Sequence, residues 1–147
     1  RSTELQRSRG DAAWALLRRS FESETRRLVE QHGGRVVRFL GDGALAVFDL
    51  PSDALRASER IAAAVCELGV DVRAGLHAGE VERHDDEVSG ICVNIAARVA
   101  ERAGAGEVLV TETVRDLVEG AGFRFEDAGV ASLKGVGPRQ LQRLVQG

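Results

Sequence analysis

At 147 residues the chain is long enough to bury a core of its own, and 44% apolar with 29% charged residues is the balance of a soluble globular domain. A formal charge of −3, 4% aromatic residues and no tyrosine argue against a nucleic-acid surface, and no apolar run reaches the length of a membrane span. One domain over residues 1–147 is therefore expected, with no nucleic-acid partner and no membrane contact from this segment. Cys66 and Cys92 lie in apolar surroundings without CxxC spacing. Packed, reduced thiols are expected for both, which suits a cytoplasmic location.

Ser2 or Thr3 can cap a first helix, which Gly10-Asp11 interrupts or restarts. From Ala12 to Gln31, Trp14, Leu17, Phe21 and Leu28 recur at helical steps, and Gly33-Gly34 ends the pattern. Next comes Gly34 to Asp49, two aliphatic runs around Asp42-Gly43, a dipeptide suited to a type I′ turn. A β-hairpin follows, with a carboxylate at its tip. Alternation puts Arg38, Leu40 and Asp42 on one side and Val37 and Phe39 on the other. By itself an Asp-Gly pair is most often a turn former.

Pro51-Ser52-Asp53 opens a helix from Ala54 to Leu68, closed by Gly69. Val70 to Val81 alternates as a strand, within which His77 is expected to be structural. The polar run from Glu82 to Glu87 is a loop or short hairpin turn. Ser89-Gly90 leads into a helix from Ile91 to Arg102, then a short strand from Glu107 to Thr111 and a helix to about Val118. Phe123 to Leu133 is extended, Lys134 to Pro138 is a tight turn, and Leu141 to Val145 is a last strand. The order is that of an α+β fold, a ferredoxin-like βαββαβ core with an extra helix and strands at its C-terminal end. This core needs one more strand, its first, which would precede Arg1.

A second informative stretch is Glu87 to Arg98. Asn94 and Arg98 are four residues apart, so a helix puts them on one face, one turn from each other. Alone, such a pair is an ordinary surface amide and guanidinium. Lys134, the one lysine of the chain, would likewise pass for a solvated turn residue.

Taken together, these stretches resemble the class III nucleotidyl cyclase catalytic domain, the adenylyl and guanylyl cyclase family. The resemblance runs from Ser2 to about Val145. It rests on the Gly-Arg-Val-Val-Arg-Phe-Leu-Gly-Asp-Gly hairpin, Gly75-Leu76-His77-Ala78-Gly79-Glu80, the Asn94 to Arg98 segment, Glu107-Val108-Leu109-Val110-Thr111 and Leu133-Lys134-Gly135, in that order.

The resemblance implies attack of a ribose 3′-oxygen on the α-phosphorus of a nucleoside triphosphate, with pyrophosphate leaving and two divalent ions, Mg²⁺ or Mn²⁺, assisting. Asp42 matches one of the family's two metal-binding aspartates, and the other would lie on the strand ahead of Arg1. Arg98 matches the arginine that stabilises charge on the α-phosphate, Asn94 the residue that orients the ribose, and Lys134 the contact to the terminal phosphates. Arg38 and Glu87 match the base-reading pair, a lysine and an aspartate in adenylyl cyclases. Both differ from the pattern and both keep its charge, so the resemblance implies ATP. It also implies a head-to-tail homodimer in which two copies share each site. The alternative is a non-catalytic, cyclase-like domain that binds nucleotide or dimerises to regulate an attached module.

Overall fold

The structure, a computed structural model, describes residues 2–40, 43–85 and 87–146, with side chains from residue 10 onward. The elements follow in the order α1 (Ser2–Gln31), β1 (Arg35–Leu40), β2 (Gly43–Val47), α2 (Pro51–Cys66), β3 (Ala74–Leu76), β4 (Glu82–His84), β5 (Glu87–Ser89), α3 (Ile91–Arg102), β6 (Val108–Thr111), α4 (Glu112–Leu117), β7 (Phe125–Leu133) and β8 (Gly137–Leu144). The α+β class expected from the sequence is the one observed. Gly10, at φ 83° and ψ 166°, divides α1 into two helical runs where Gly10-Asp11 was expected to interrupt it.

The central sheet has the order β3-β6-β8-β7, with β3 parallel to β6 and the other neighbours antiparallel. All four residues of β6 are buried, because helices cover both faces of this sheet. Val108 and Val110 point to one side, where they meet Leu55 of α2 and Val114 of α4. Leu109 points to the other, where it meets Ile95 and Val99 of α3 with Leu133 and Leu141. The period-two alternation of a strand thus splits a short apolar run between two cores.

Gly75 sets how closely α3 approaches. A Cβ placed there would lie 2.2 Å from the Ala100 backbone nitrogen and 2.8 Å from the Ala96 carbonyl oxygen, so the helix backbone rests directly on β3. With Cys92, Ile95 and Val99 turned inward, Asn94 is left exposed on the opposite side of the helix.

Two hairpins stand apart from this sheet. Among the described residues, β1 and β2 pair with each other and β4 and β5 pair with each other, antiparallel in both cases. Of the two readings of the polar run, a loop or a short hairpin, the hairpin is the one formed, with Glu82–His84 laddered to Glu87–Ser89. Three boundaries differ from expectation. The strand foreseen over Val70 to Val81 keeps a regular ladder only from Ala74 to Leu76. Conversely, β8 begins at Gly137, four residues earlier than foreseen, with Pro138 opposite Ser132 near the turn, where its missing N–H is tolerated. The β1–β2 ladder closes with Leu40 opposite Gly43, so Gly43 of the expected turn pair belongs to a strand.

Both cysteines are free. Cys92 is buried as expected, and burial raises its thiol pKa. Cys66 is exposed at the last turn of α2, not packed, because the apolar stripe of that helix runs through Leu55, Ala57 and Val65. Among the described residues, no helix is long and apolar enough to cross a membrane.

Candidate active site

Strand β1 carries a bulge. Val36 pairs with Ala46 and Arg38 with Leu45, so Val37 is an extra residue with no opposite number. Without it, Val36 and Arg38 would share a face, two residues apart. With it, Val36 is buried while Arg38 and Leu40 turn outward. Phe39 turns the other way, and Arg26 of α1 lies over its ring at 5.2 Å. The outward face of Arg38 and Leu40 was legible in the alternation. The bulge that produces it was not.

Arg38 meets Glu87. Its Nη1 donates to Glu87 Oε1, joining β1 to β5 across 49 positions of sequence. The two residues expected to read one base are therefore in direct contact within one chain. From Glu87 the strand runs to Ser89, and Gly90, at φ 123°, turns the backbone into α3. The Asn94 amide, bonding to the Gly90 carbonyl at 3.4 Å, closes the first turn of that helix. Glu87 and Asn94 are thus tied through a short, glycine-turned connection.

On α3 the Asn94 side chain is exposed, and Arg98, one turn on, is 38% exposed. The Arg98 Nη1 donates to Glu101 Oε2 at 2.9 Å. Sequence reasoning passed over Glu101, although the Arg-x-x-Glu spacing that brings the two together is visible in the chain. Lys134 is exposed in the turn between β7 and β8. Its neighbour Leu133 is buried under α3 beside Ile95 and Val99, and Arg102 of α3 donates to the Ser132 carbonyl at 3.3 Å. These contacts anchor the Lys134 turn alongside the helix that bears Asn94 and Arg98.

Asp42, the expected metal ligand, lies outside the described residues. Among the described residues there is no group of three His, Cys, Asp or Glu side chains placed to hold a metal ion. His77, expected to be structural, follows the end of β3. His77 Nδ1 and the buried Thr111 Oγ1 are hydrogen-bonded at 2.7 Å, which fits the structural role expected of it. Burial, with Arg139 nearby, holds the imidazole below its ordinary pKa.

The profile of the adenylate and guanylate cyclase catalytic domain matches residues 2–145, nearly the whole chain. The chain belongs to that family. An uncharacterized protein of Mycobacterium tuberculosis is 33% identical over 102 residues, covering 67% of this chain and 26% of the relative. This cyclase domain thus spans about a quarter of the length of that curated relative. Among solved structures, the adenylyl cyclase CyaB from P. aeruginosa has the same fold, with a TM-score of 0.81, 22% identity and coverage of 99% of this chain and 89% of that one. An adenylate/guanylate cyclase/hydrolase from Silicibacter pomeroyi is 26% identical with a TM-score of 0.76, covering 97% of this chain and 88% of that one. The fold of this cyclase domain is thus that of cyclase catalytic domains with solved structures.

Proposed function

We infer that this cyclase domain converts ATP to 3′,5′-cyclic AMP and pyrophosphate, at sites formed between two copies arranged head to tail. The observation that carries this reading is the contact between Arg38 and Glu87. Two residues 49 positions apart, singled out as a base-reading pair, touch each other through their side chains. A guanidinium offers only donors and a carboxylate only acceptors, and adenine presents an acceptor at N1 beside a donor at its exocyclic amine. The pair supplies one of each.

The other groups keep the roles that the family resemblance implies, which their chemistry supports. Asn94, on the exposed side of α3, orients the ribose. Arg98 meets the α-phosphate, where a permanently charged planar donor is most effective as negative charge develops. Lys134, on a turn anchored beside the same helix, meets the terminal phosphates. Asp42 is the carboxylate this chain offers to a divalent ion, Mg²⁺ or Mn²⁺. Such an ion supplies phosphate-charge neutralisation and a lowered pKa for the attacking hydroxyl.

Two exposed large apolar side chains, close in sequence to the proposed site residues, fit a second copy packed there. Leu40, two residues beyond Arg38, is 49% exposed, and Ile91, at the start of α3, is 61% exposed. A partner laid across the site would cover both.

The test is direct. The full-length protein carrying this domain, supplied with ATP and Mn²⁺, is expected to release cyclic AMP and pyrophosphate in equal amounts. Binding of ATP without turnover would instead support a regulatory, non-catalytic domain.

A further inference from the structure

The interaction between Arg98 and Glu101 has no part in the reaction as set out above, and its charge is the wrong sign for a triphosphate site. The Glu101 carboxylate lies 2.9 Å from the Arg98 Nη1, so a fixed anion sits beside the guanidinium assigned to the α-phosphate. We propose that Glu101 is a positioning residue that holds Arg98 in reserve, its carboxylate competing with the α-phosphate for the guanidinium. The inference rests on the role given to Arg98.

The energetics suit a brake rather than a lock. Both side chains are open to solvent, at 38% and 62% exposure, and exposed ion pairs are weak. The competition is therefore worth about twofold to fivefold in nucleotide affinity. A buried pair would hold the arginine too tightly for substrate to claim it, because breaking one leaves an uncompensated charge. The neighbouring Arg102 does not take Glu101 away, since its guanidinium is engaged with the Ser132 carbonyl. A phosphate presents several charge-bearing oxygens to a planar donor, whereas Glu101 engages Nη1 alone. The triphosphate therefore displaces the carboxylate once it is bound at its other end.

An i,i+3 ion pair also supports its helix slightly, so the test must separate that role from competition. In the full-length protein, Glu101→Gln keeps the side-chain shape and an acceptor oxygen while removing the charge. A non-cyclisable ATP analogue, its α–β bridging oxygen replaced by methylene, is expected to bind this variant about twofold to fivefold more tightly. The KM for ATP is expected to fall by a similar factor, raising kcat/KM. In an Arg98→Ala background the same change at Glu101 is expected to leave analogue affinity where it was.

Unchanged affinity in Glu101→Gln, with its thermal midpoint also unchanged, would overturn the inference. Equal tightening with and without Arg98 would also overturn it, by showing simple repulsion between Glu101 and the triphosphate. If Arg98→Ala alone leaves kcat and analogue binding intact, the role of Arg98 itself is lost. If Arg98→Ala abolishes turnover while Glu101→Gln is silent, only the Glu101 inference fails.

Discussion

The surroundings of Arg98 suit the role proposed for it. The helix beneath it is fixed, the guanidinium is always charged, and its neighbours place it one turn from an exposed amide. Replacing it with alanine is expected to lower kcat by about a hundredfold or more, the loss typical of removing a donor aimed at developing charge. A single-turnover assay with enzyme in saturating excess over ATP checks this, because weaker binding alone would leave that rate intact. Arg38 and Glu87 call for a different measurement. Charge reversal of either one places two like charges together where an ion pair stood. Arg38→Glu is therefore expected to raise the KM for ATP at least about tenfold, and the double exchange Arg38→Glu with Glu87→Arg to recover part of the loss. No recovery would mean that each residue meets the base independently of the other.

Among the elements, α3 is the one that gathers the site, and its seat on β3 depends on the absence of a side chain at Gly75. Gly75→Ala forces a methyl group against the backbone of Ala96 and Ala100, which no rotamer change can relieve. The expected cost is about 1–3 kcal/mol or more, seen as a lower urea midpoint with an unchanged m-value. An unchanged midpoint would show that α3 can lift off the sheet freely.

The helices and most strands were legible because amphipathic spacing and glycine termini report directly on local structure. Asn94 and Arg98 could be placed on one face for the same reason. What could not be read depended on partners distant in sequence. The bulge at Val37 exists only in relation to Ala46 and Leu45 of the facing strand. The strand around Leu76 is shortened because its ladder with β6 spans only Ala74 to Leu76. Cys66 was misjudged because its helix buries a stripe that turns away from it.

For the whole molecule, titration and association are the informative variables. His77 has a lowered pKa in the folded chain, mainly from burial and secondarily from Arg139. As pH falls through the ordinary imidazole value of 6.5, the unfolded chain takes up this proton before the folded one does. The contribution of His77 to stability is thus fully present above that value and declines below it. A thermal melt series is expected to show this decline, and His77→Gln to remove that component. If activity requires two copies, specific activity is expected to rise with protein concentration until the dimer saturates, and a flat response would favour a site complete within one chain.

Among the described residues the two hairpins share no backbone ladder, yet two ionic contacts link them. Arg38 of β1 reaches Glu87 of β5, and Arg83 of β4 lies 3.7 Å from Asp49, just past β2. The hairpins are therefore fastened as a clasp is, at points rather than along a seam. On the proposed reading, a purine taking up the hydrogen bonds of Arg38 and Glu87 would undo the nearer fastening and leave the one between Arg83 and Asp49. Amide exchange in β1 and β5 would then quicken on nucleotide binding while β6 stays protected, so occupancy of the site would be felt as a loosening between two ribbons of backbone.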